Sequence, residues 1–297
     1  MARSFPTDVI VLDAETLVHV RLARGRKDPS IVQSKRYRLA GNTFLPAVVT
    51  PQLTNEAALA EVLRRLKAET GGWERASMLL PDSWFRINLL EVPALADDPK
   101  EALEMIRWSL KRTMPINPSL LRISYTVLSR TPAETKVLAV SAIDETLAAI
   151  ERVFAAAGIE IVLIEPIGIN IWNAITAREP NTARDRIFFY IRDGEFTTAV
   201  FRGAQPLFIR SRNLNSERTL EQEIRLSASY LRDTLQANSV EQCYVAGNSV
   251  NGEVTSVIGA EFSAPVKKIA LADFTEHSPD GAGNEAELAA CTGVFTA

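Results

Sequence analysis

A chain of 297 residues, 46% hydrophobic and 23% charged, has the composition of a soluble globular protein and can bury roughly 75% of its unfolded surface without staples. A formal net charge of −3 argues against a nucleic-acid face, and two cysteines, Cys243 and Cys291, exclude a disulfide scaffold and suit a reducing cytoplasm. Glu160, Glu165 and Pro166 break the longest apolar runs, so no membrane span is expected, and Val9–Leu12 is too short for the core of a signal peptide.

Asp8–Leu12 and Thr16–Ala23 read as strands, the second with rough polar–apolar alternation, and a charged turn at Gly25–Ser30 precedes a third strand at Ile31–Leu39. After a Pro-containing loop, a helix at about 55–69 carries Leu59, Val62, Leu63 and Leu66 on one face and stops at Gly71-Gly72; Ala76–Leu80 is the next strand. Trp84–Val92 also has strand character. Asp98-Pro99 then opens a helix with an N-cap carboxylate and a proline at its first position. Its stripe is Leu103, Ile106, Leu110 and Met114, and Pro115 ends it. Leu121–Leu128 and Thr135–Ala142 are strands around the turn Ser129–Glu134, and Asp144 caps a helix closed by Gly158. This block, about residues 95–157, reads as a small α+β subdomain inserted into the first half. Ile159–Ile164 and a helix at Gly168–Ala177 complete that half.

A polar segment at 179–185 marks the boundary. Arg186–Arg212 follows as three short apolar runs joined by Asp193-Gly194 and Arg202-Gly203-Ala204, and Asp-Gly between β-prone runs signals a tight hairpin. A long helix at Glu217–Gln236 carries Leu220, Ile224, Leu231 and Leu235; strand Gln242–Ala246, a helix near Asn251–Gly259, a strand around Pro265–Ile269 and a last helix from Glu285 complete the chain. Residues 1–178 and 186–297 therefore repeat one unit: three antiparallel strands, then helix, strand, helix, strand, helix. That is the plan of the duplicated α/β actin-like (RNase H-like) fold with mixed sheets, in which two units face one another across a nucleotide cleft.

Leu79-Leu80-Pro81 followed by Phe85–Pro93 stands early in the chain, and the helix ending Met114-Pro115-Ile116-Asn117-Pro118 comes next. Ala157-Gly158-Ile159 leads to Ile164-Glu165-Pro166, and Tyr244-Val245-Ala246-Gly247 lies near the end. In order and spacing, over nearly the whole chain, these pieces resemble the PilM family of type IV pilus assembly proteins. More distantly they are similar to the cytoplasmic domain of the GspL proteins of type II secretion. The resemblance implies a cytoplasmic, actin-like scaffold of an inner-membrane platform that meets an assembly motor and inserts no segment of its own into the membrane. It also implies a groove between the inserted subdomain and the first half that takes the N-terminal peptide of a PilN-like membrane protein. Trp84, Arg86 and Trp108 are the candidates for lining that groove, beside the simpler reading in which the aromatics are core.

The nucleotide motifs of that family are where this sequence departs. Phosphate loop one reads D-x-G-[ST] in such proteins, so that backbone N–H groups reach phosphate oxygens. Here the turn is Asp13-Ala14-Glu15-Thr16; depending on register, Asp13 or Glu15 stands in place of the glycine, and the usual lysine is Val18 or absent. Asp13 would have to act through a water-bridged Mg²⁺; otherwise the turn is a solvated hairpin tip. In phosphate loop two, Tyr190 and Arg192 stand where D-x-G is expected, and Gly247-Asn248-Ser249 replaces the triple glycine of the adenosine motif. Only Asn213–Ser216 separates the third strand of the second half from its long helix, so the subdomain that covers the nucleotide is expected to be absent.

The expectation is a scaffold without catalysis, in which Asp13, Glu15, Thr16, Tyr190, Arg192 and Gly247 are remnants of a nucleotide cleft and no metal or cofactor is held. Alternatives are a working ATPase using Mg-ATP, or a filament-forming cell-division actin homologue; self-association is open. Arg192, Arg202, Arg210 and Arg212 could attract an anion, beside the simpler reading as solvent-facing residues at strand ends and turns. His19 and His277 are too few for a zinc site, and Cys243 reads as a buried hydrophobe.

Overall fold

The computed structural model describes residues 5–25, 28–47, 49–112, 114, 116–179, 182–192, 194–203, 205–214, 219–234, 240–276 and 284–294. The first half opens with β1 (Asp8–Leu12), β2 (Thr16–Ala23) and β3 (Ser30–Arg38), paired antiparallel in sequence order. All five residues of β1 are buried, as its position demands: it is the central strand and is covered on both faces. A short hairpin of β4 (Phe44–Leu45) and β5 (Gln52–Leu53) sits in the loop that follows. Helix α1 (Glu56–Thr70) starts where the Asn55 side chain accepts the Ala58 N–H. Strand β6 (Arg75–Leu80) lies parallel to β1.

The strand expected from Trp84 begins two residues later. Asp82–Trp84 forms a single 3₁₀ turn, and β7 (Arg86–Val92) then joins a separate sheet. With α2 (Pro99–Lys111), β8 (Leu121–Arg130) and β9 (Thr135–Ile143) it forms the inserted unit, whose strand order is β7-β9-β8. Asp98 caps α2 as the sequence implies, and the helix lays Ala102, Ile106 and Leu110 over Leu90, Val92, Val137 and Ala139. Helix α3 (Asp144–Ala156) behaves differently from its expected place in that unit. Its Leu147, Ile150 and Phe154 pack with Leu59, Leu63 and Leu66 of α1, so it belongs to the outer layer of the first half. Strand β10 (Glu160–Pro166), parallel to β6, and α4 (Ile167–Thr176) finish this half.

The second half runs β11 (Asp185–Arg192), β12 (Glu195–Arg202), β13 (Gln205–Asn213), α5 (Leu220–Asp233), β14 (Val240–Ala246), α6 (Gly252–Phe262), β15 (Val266–Lys268) and α7 (Glu285–Gly293). Helix α5 begins later than the pattern suggests because Thr219 and Gln222 form a reciprocal capping box; Leu235 lies outside the described residues. Helix α6 runs on to Phe262, which with Ile258 continues its buried stripe. The sheet order β13-β12-β11-β14-β15 repeats β3-β2-β1-β6-β10 element for element. The first and second halves therefore have one topology, and α4 is the counterpart of α7.

Strand alternation splits the side chains between three layers of core. Ile10 and Leu12 face α1 and α3, while Ile187, Phe189 and Ile191 face α5 and α6. Val9, Val11, Phe188 and Tyr190 point the other way, into one continuous core between the halves that also contains α4 and α7. These two helices cross closely: a Cβ on Gly293 would lie 1.9 Å from the Asn170 carbonyl oxygen. The halves are thus joined at this core, and the turns after β1 and β11 meet beside the start of α7.

Candidate functional site

Between those turns lies a cleft of about 460 Å³. Asp13, Glu15, Thr16, Arg36 and Trp84 border it from the first half, and Arg192, Glu195, Asn248, Asn284 and Glu287 from the second. The β1–β2 turn is built on its own aspartate. Asp13 Oδ1 accepts the backbone N–H groups of Glu15 at 2.8 Å and Thr16 at 2.7 Å, which fixes the turn in the manner of an Asx turn. These are the donors a phosphate loop would aim at phosphate oxygens, and here the aspartate already holds them.

Three contacts cross the cleft. The Arg192 guanidinium donates to Asp13 Oδ2 at 2.7 Å, Arg36 donates to Glu287 Oε2 at 3.0 Å, and Ser83 Oγ donates to Glu195 Oε1 at 2.6 Å. Burial works against the Arg192 charge, but Tyr190, Glu195 and Asp13 more than offset it, so its pKa lies above the ordinary arginine value. Burial also pushes the carboxyl groups of Glu195 and Glu287 up, and Arg192 pulls both back down. Four carboxylates, Asp13, Glu15, Glu195 and Glu287, thus line the cleft against two guanidiniums, each already in an ion pair. A phosphate about 4 Å from one unscreened carboxylate would lose on the order of 4 kcal/mol at an effective dielectric of 20.

Behind the cleft, Asp82 is fully buried. Its Oδ1 accepts the Gly168 N–H at 2.7 Å, so it caps the α4 N-terminus, where Pro166 offers no side-chain cap. Burial pushes its pKa up to about 6; Gly168, the Thr197 hydroxyl and Arg192 work in the opposite direction, and Glu195 adds to the rise.

Asp13, Glu15, Thr16 and Arg192 come together in this cleft. Tyr190 does not reach it: the ring is part of the central core, so the strand position of the expected acid holds a packing residue. Gly247 adjoins it, but its glycine has a packing reason. With φ at +127°, a Cβ there would fall 1.7 Å from the Ile191 carbonyl oxygen, so the close approach of the turn after β14 to the end of β11 demands it. Ser83, Glu195 and Glu287 were not apparent as site residues from the sequence. A signal existed for Asp82 and Ser83, which follow the C-terminal end of a parallel strand, and for Glu195, which the tight turn sets opposite Arg192.

The three candidates for a peptide groove are not brought to one place. Trp84 is buried against Phe44, with ring centroids 5.1 Å apart. Arg86 donates to the neighbouring Phe85 carbonyl at the start of β7. Trp108, 62% exposed, stands on α2 beneath the Arg112 guanidinium and beside Val92, Pro93 and Met105. His19 is buried, stacked on Trp73 and bonded to Asp8 Oδ1 at 2.8 Å, a structural placement; His277 lies outside the described residues. Burial raises the Cys243 thiol to about 12. Among the described residues no three His, Cys, Asp or Glu side chains are placed to hold a metal ion, and no helix is long and apolar enough to cross a membrane.

Two copies of one βββαβαβα unit, their last helices crossed and a polar cleft between their first hairpins, make this an actin-like fold. No protein-family model matches the sequence, and no curated protein matches it. Among solved structures it is similar to a PilM–PilN type IV pilus biogenesis complex, with 18% identity and a TM-score of 0.77 over 97% of each chain. It is also similar to a Bacteroides thetaiotaomicron protein of unknown function with an actin-like ATPase fold, at 9% identity and a TM-score of 0.55 over 88% of this chain and 90% of that one. The cytoplasmic domain of EpsL, an inner-membrane component of the Vibrio cholerae type II secretion system, matches at 11% identity and a TM-score of 0.53 over 98% and 94%.

Proposed function

We propose that this chain is a non-catalytic scaffold of a pilus or secretion platform, which captures an extended peptide of a membrane protein in the groove between its first-half sheet and its inserted sheet. The observation that carries this reading is an unpaired strand edge. Among the described residues β10, at the end of the first-half sheet, pairs with β6 alone, and the register shift between Ile161 and Leu163 leaves Val162 out of that pairing and in the lining of the groove. Ile161–Ile164 are half-buried and line this groove together with Arg122, Val140 and Ser141. Arg122 braces the wall, gripping Glu151 in two bonds of 2.6 and 2.9 Å and Asp144 in a third of 2.7 Å. An extended peptide would add main-chain bonds to β10 and lay alternate side chains on this surface. Likeness over almost all of its length to a PilM–PilN type IV pilus biogenesis complex supports a partner of that kind.

The cleft supports the non-catalytic part. Its turn N–H groups are engaged by Asp13, its arginines by carboxylates, and a triphosphate would add charge of the prevailing sign. Peripheral attachment to a membrane would then come through the partner.

Fluorescence anisotropy with labelled N-terminal peptides, taken from membrane proteins encoded beside this one, tests the docking. At least one should bind, and Val162→Glu should weaken it tenfold or more. Failure of every such peptide removes the reading. For the cleft, millimolar Mg-ATP should leave the unfolding midpoint unchanged. A ligand at 100 times its Kd stabilises by about 2.7 kcal/mol, so clear stabilisation together with ATP turnover would establish a working ATPase instead.

A further inference from the structure

Helix α2 has two unlike sides. Ala102, Ile106 and Leu110 are buried against the inserted sheet, whereas Trp108, on the opposite side, is 62% exposed. A groove of about 560 Å³ runs along that outer side. Val92 and Pro93, from the end of β7, line it with Met105 and Trp108, and Glu101, Glu104 and Ser109 of the helix lie along it. A tryptophan standing free beside an apolar groove is the kind of residue that anchors an interface.

Charge along this face is ordered. Glu101 and Glu104 stand toward the start of the helix and Lys111 and Arg112 at its end, all four exposed. Glu104 is bridged to Arg107 at 3.2 Å within the helix, and Arg112 lies over the Trp108 ring, 5.3 Å from its centroid. Among the described residues neither Glu101 nor Arg112 enters an ion pair. Such a face is its own complement under a two-fold axis. With the axis level with the Ile106–Arg107 step and a second helix running the opposite way, Glu101 of each copy meets Arg112 of the other. The same operation sets Trp108 beside Met105 and Glu104 beside Ser109. Of these six positions all but Arg112 line the groove. A parallel pairing would instead set like charge beside like charge and align the two helix dipoles.

We propose that this face binds a second copy of the chain, the two α2 helices packing antiparallel and each Trp108 seated in the other copy's groove against Met105, Val92 and Pro93. Glu101 and Arg112 lie about 16 Å apart along the helix axis, so the two ion pairs close the ends of the contact and fix its register. A slip of one turn parts both pairs and moves Trp108 off Met105. A contact of one helix and one strand end falls at the small end of specific interfaces, which puts the dissociation constant in the micromolar range. The face shares no residue with the β10 groove and does not rest on the scaffold reading.

Sedimentation equilibrium of the full chain across the micromolar range is the test, and it should show monomer and dimer in exchange. Trp108→Ser, Glu101→Arg and Arg112→Glu should each weaken the dimer tenfold or more. An equal mixture of the Glu101→Arg and Arg112→Glu chains should associate within threefold of the unaltered protein, since each then supplies the charge the other lacks. In the unaltered protein, hydroxyl-radical oxidation of Trp108 and Met105 should fall as concentration rises, a readout that needs no variant. A chain that stays monomeric, a dimer indifferent to Trp108→Ser, or a mixture no tighter than its components would overturn the proposal. So would a monomer that uses Trp108 to bind anionic lipid vesicles, because the face would then belong to a membrane surface.

Discussion

Replacing Asp82 with asparagine isolates the energetics of one buried carboxyl group. Burial raises its pKa from 3.8 to about 6, against the opposing pull of the Gly168 N–H, the Thr197 hydroxyl and Arg192. A raised carboxyl pKa means that the folded state holds a proton the unfolded state has released between those two values. The contribution is then fully favourable below about pH 4 and is lost as pH rises through about 6. Two pKa units at 1.36 kcal/mol each amount to about 3 kcal/mol. Asparagine keeps an oxygen for the Gly168 N–H and carries no charge, so it removes the loss while preserving the α4 cap. The difference in unfolding free energy between Asp82→Asn and the unaltered protein should therefore grow in favour of asparagine by about 3 kcal/mol from pH 4 to pH 7.5. Urea denaturation at four or five pH values measures it. The other buried acids, Glu165, Glu195 and Glu287, titrate in both proteins and largely cancel in the difference. A difference that stays flat, or favours aspartate as pH rises, would mean that Arg192 and the helix N-terminus hold the charge more strongly than burial penalises it.

Asp13→Asn should keep the β1–β2 turn, because the amide oxygen still accepts the Glu15 and Thr16 N–H groups, but should lose the ion pair with Arg192. A cost of about 2 kcal/mol in thermal or urea unfolding is expected, less than for a fully buried pair because the side chains are 12% and 15% exposed. Asp13→Ala should cost about 1–3 kcal/mol more, since two N–H groups then lose their acceptor; equal losses for both variants would refute the division of labour between the two oxygens. The same Asp13→Asn change should widen the distance between spin labels placed on either side of the cleft, and an unchanged distance would show that the central core alone sets the closure. Gly293→Ala should destabilise by about 1–3 kcal/mol, because the new methyl meets an Asn170 carbonyl with backbone on both sides. Trp108→Ser, by contrast, should leave unfolding within about 0.5 kcal/mol of the parent, as expected for an exposed site.

How the chain divides into elements was legible in the sequence because each unit is locally specified. Asn55, Asp98 and Thr219 cap their helices with their own side chains. The tight connection between β11 and β12 pairs Arg192 with Glu195, and the alternation in Ile187–Ile191 already assigns two faces. The errors fell where a neighbouring layer decided. Helix α3 has an apolar stripe that would suit either the inserted sheet or α1, and only packing settled on α1. Trp84 starts no strand, since Pro81 and Asp82 draw the chain into a tight turn that positions Asp82 under α4.

The candidate site divides in the same way. Sequence by itself determined the duplicated fold and the departure of its turns from a phosphate-binding pattern, because those depend on residues near one another in the chain. The tertiary structure alone decided that Arg192 would meet Asp13, that Arg36 would meet Glu287 and that Ser83 would meet Glu195. Partners separated by 179, 251 and 112 positions carry no local signal, since their attraction exists only after two sheets and the helices α4 and α7 have placed them across a cleft.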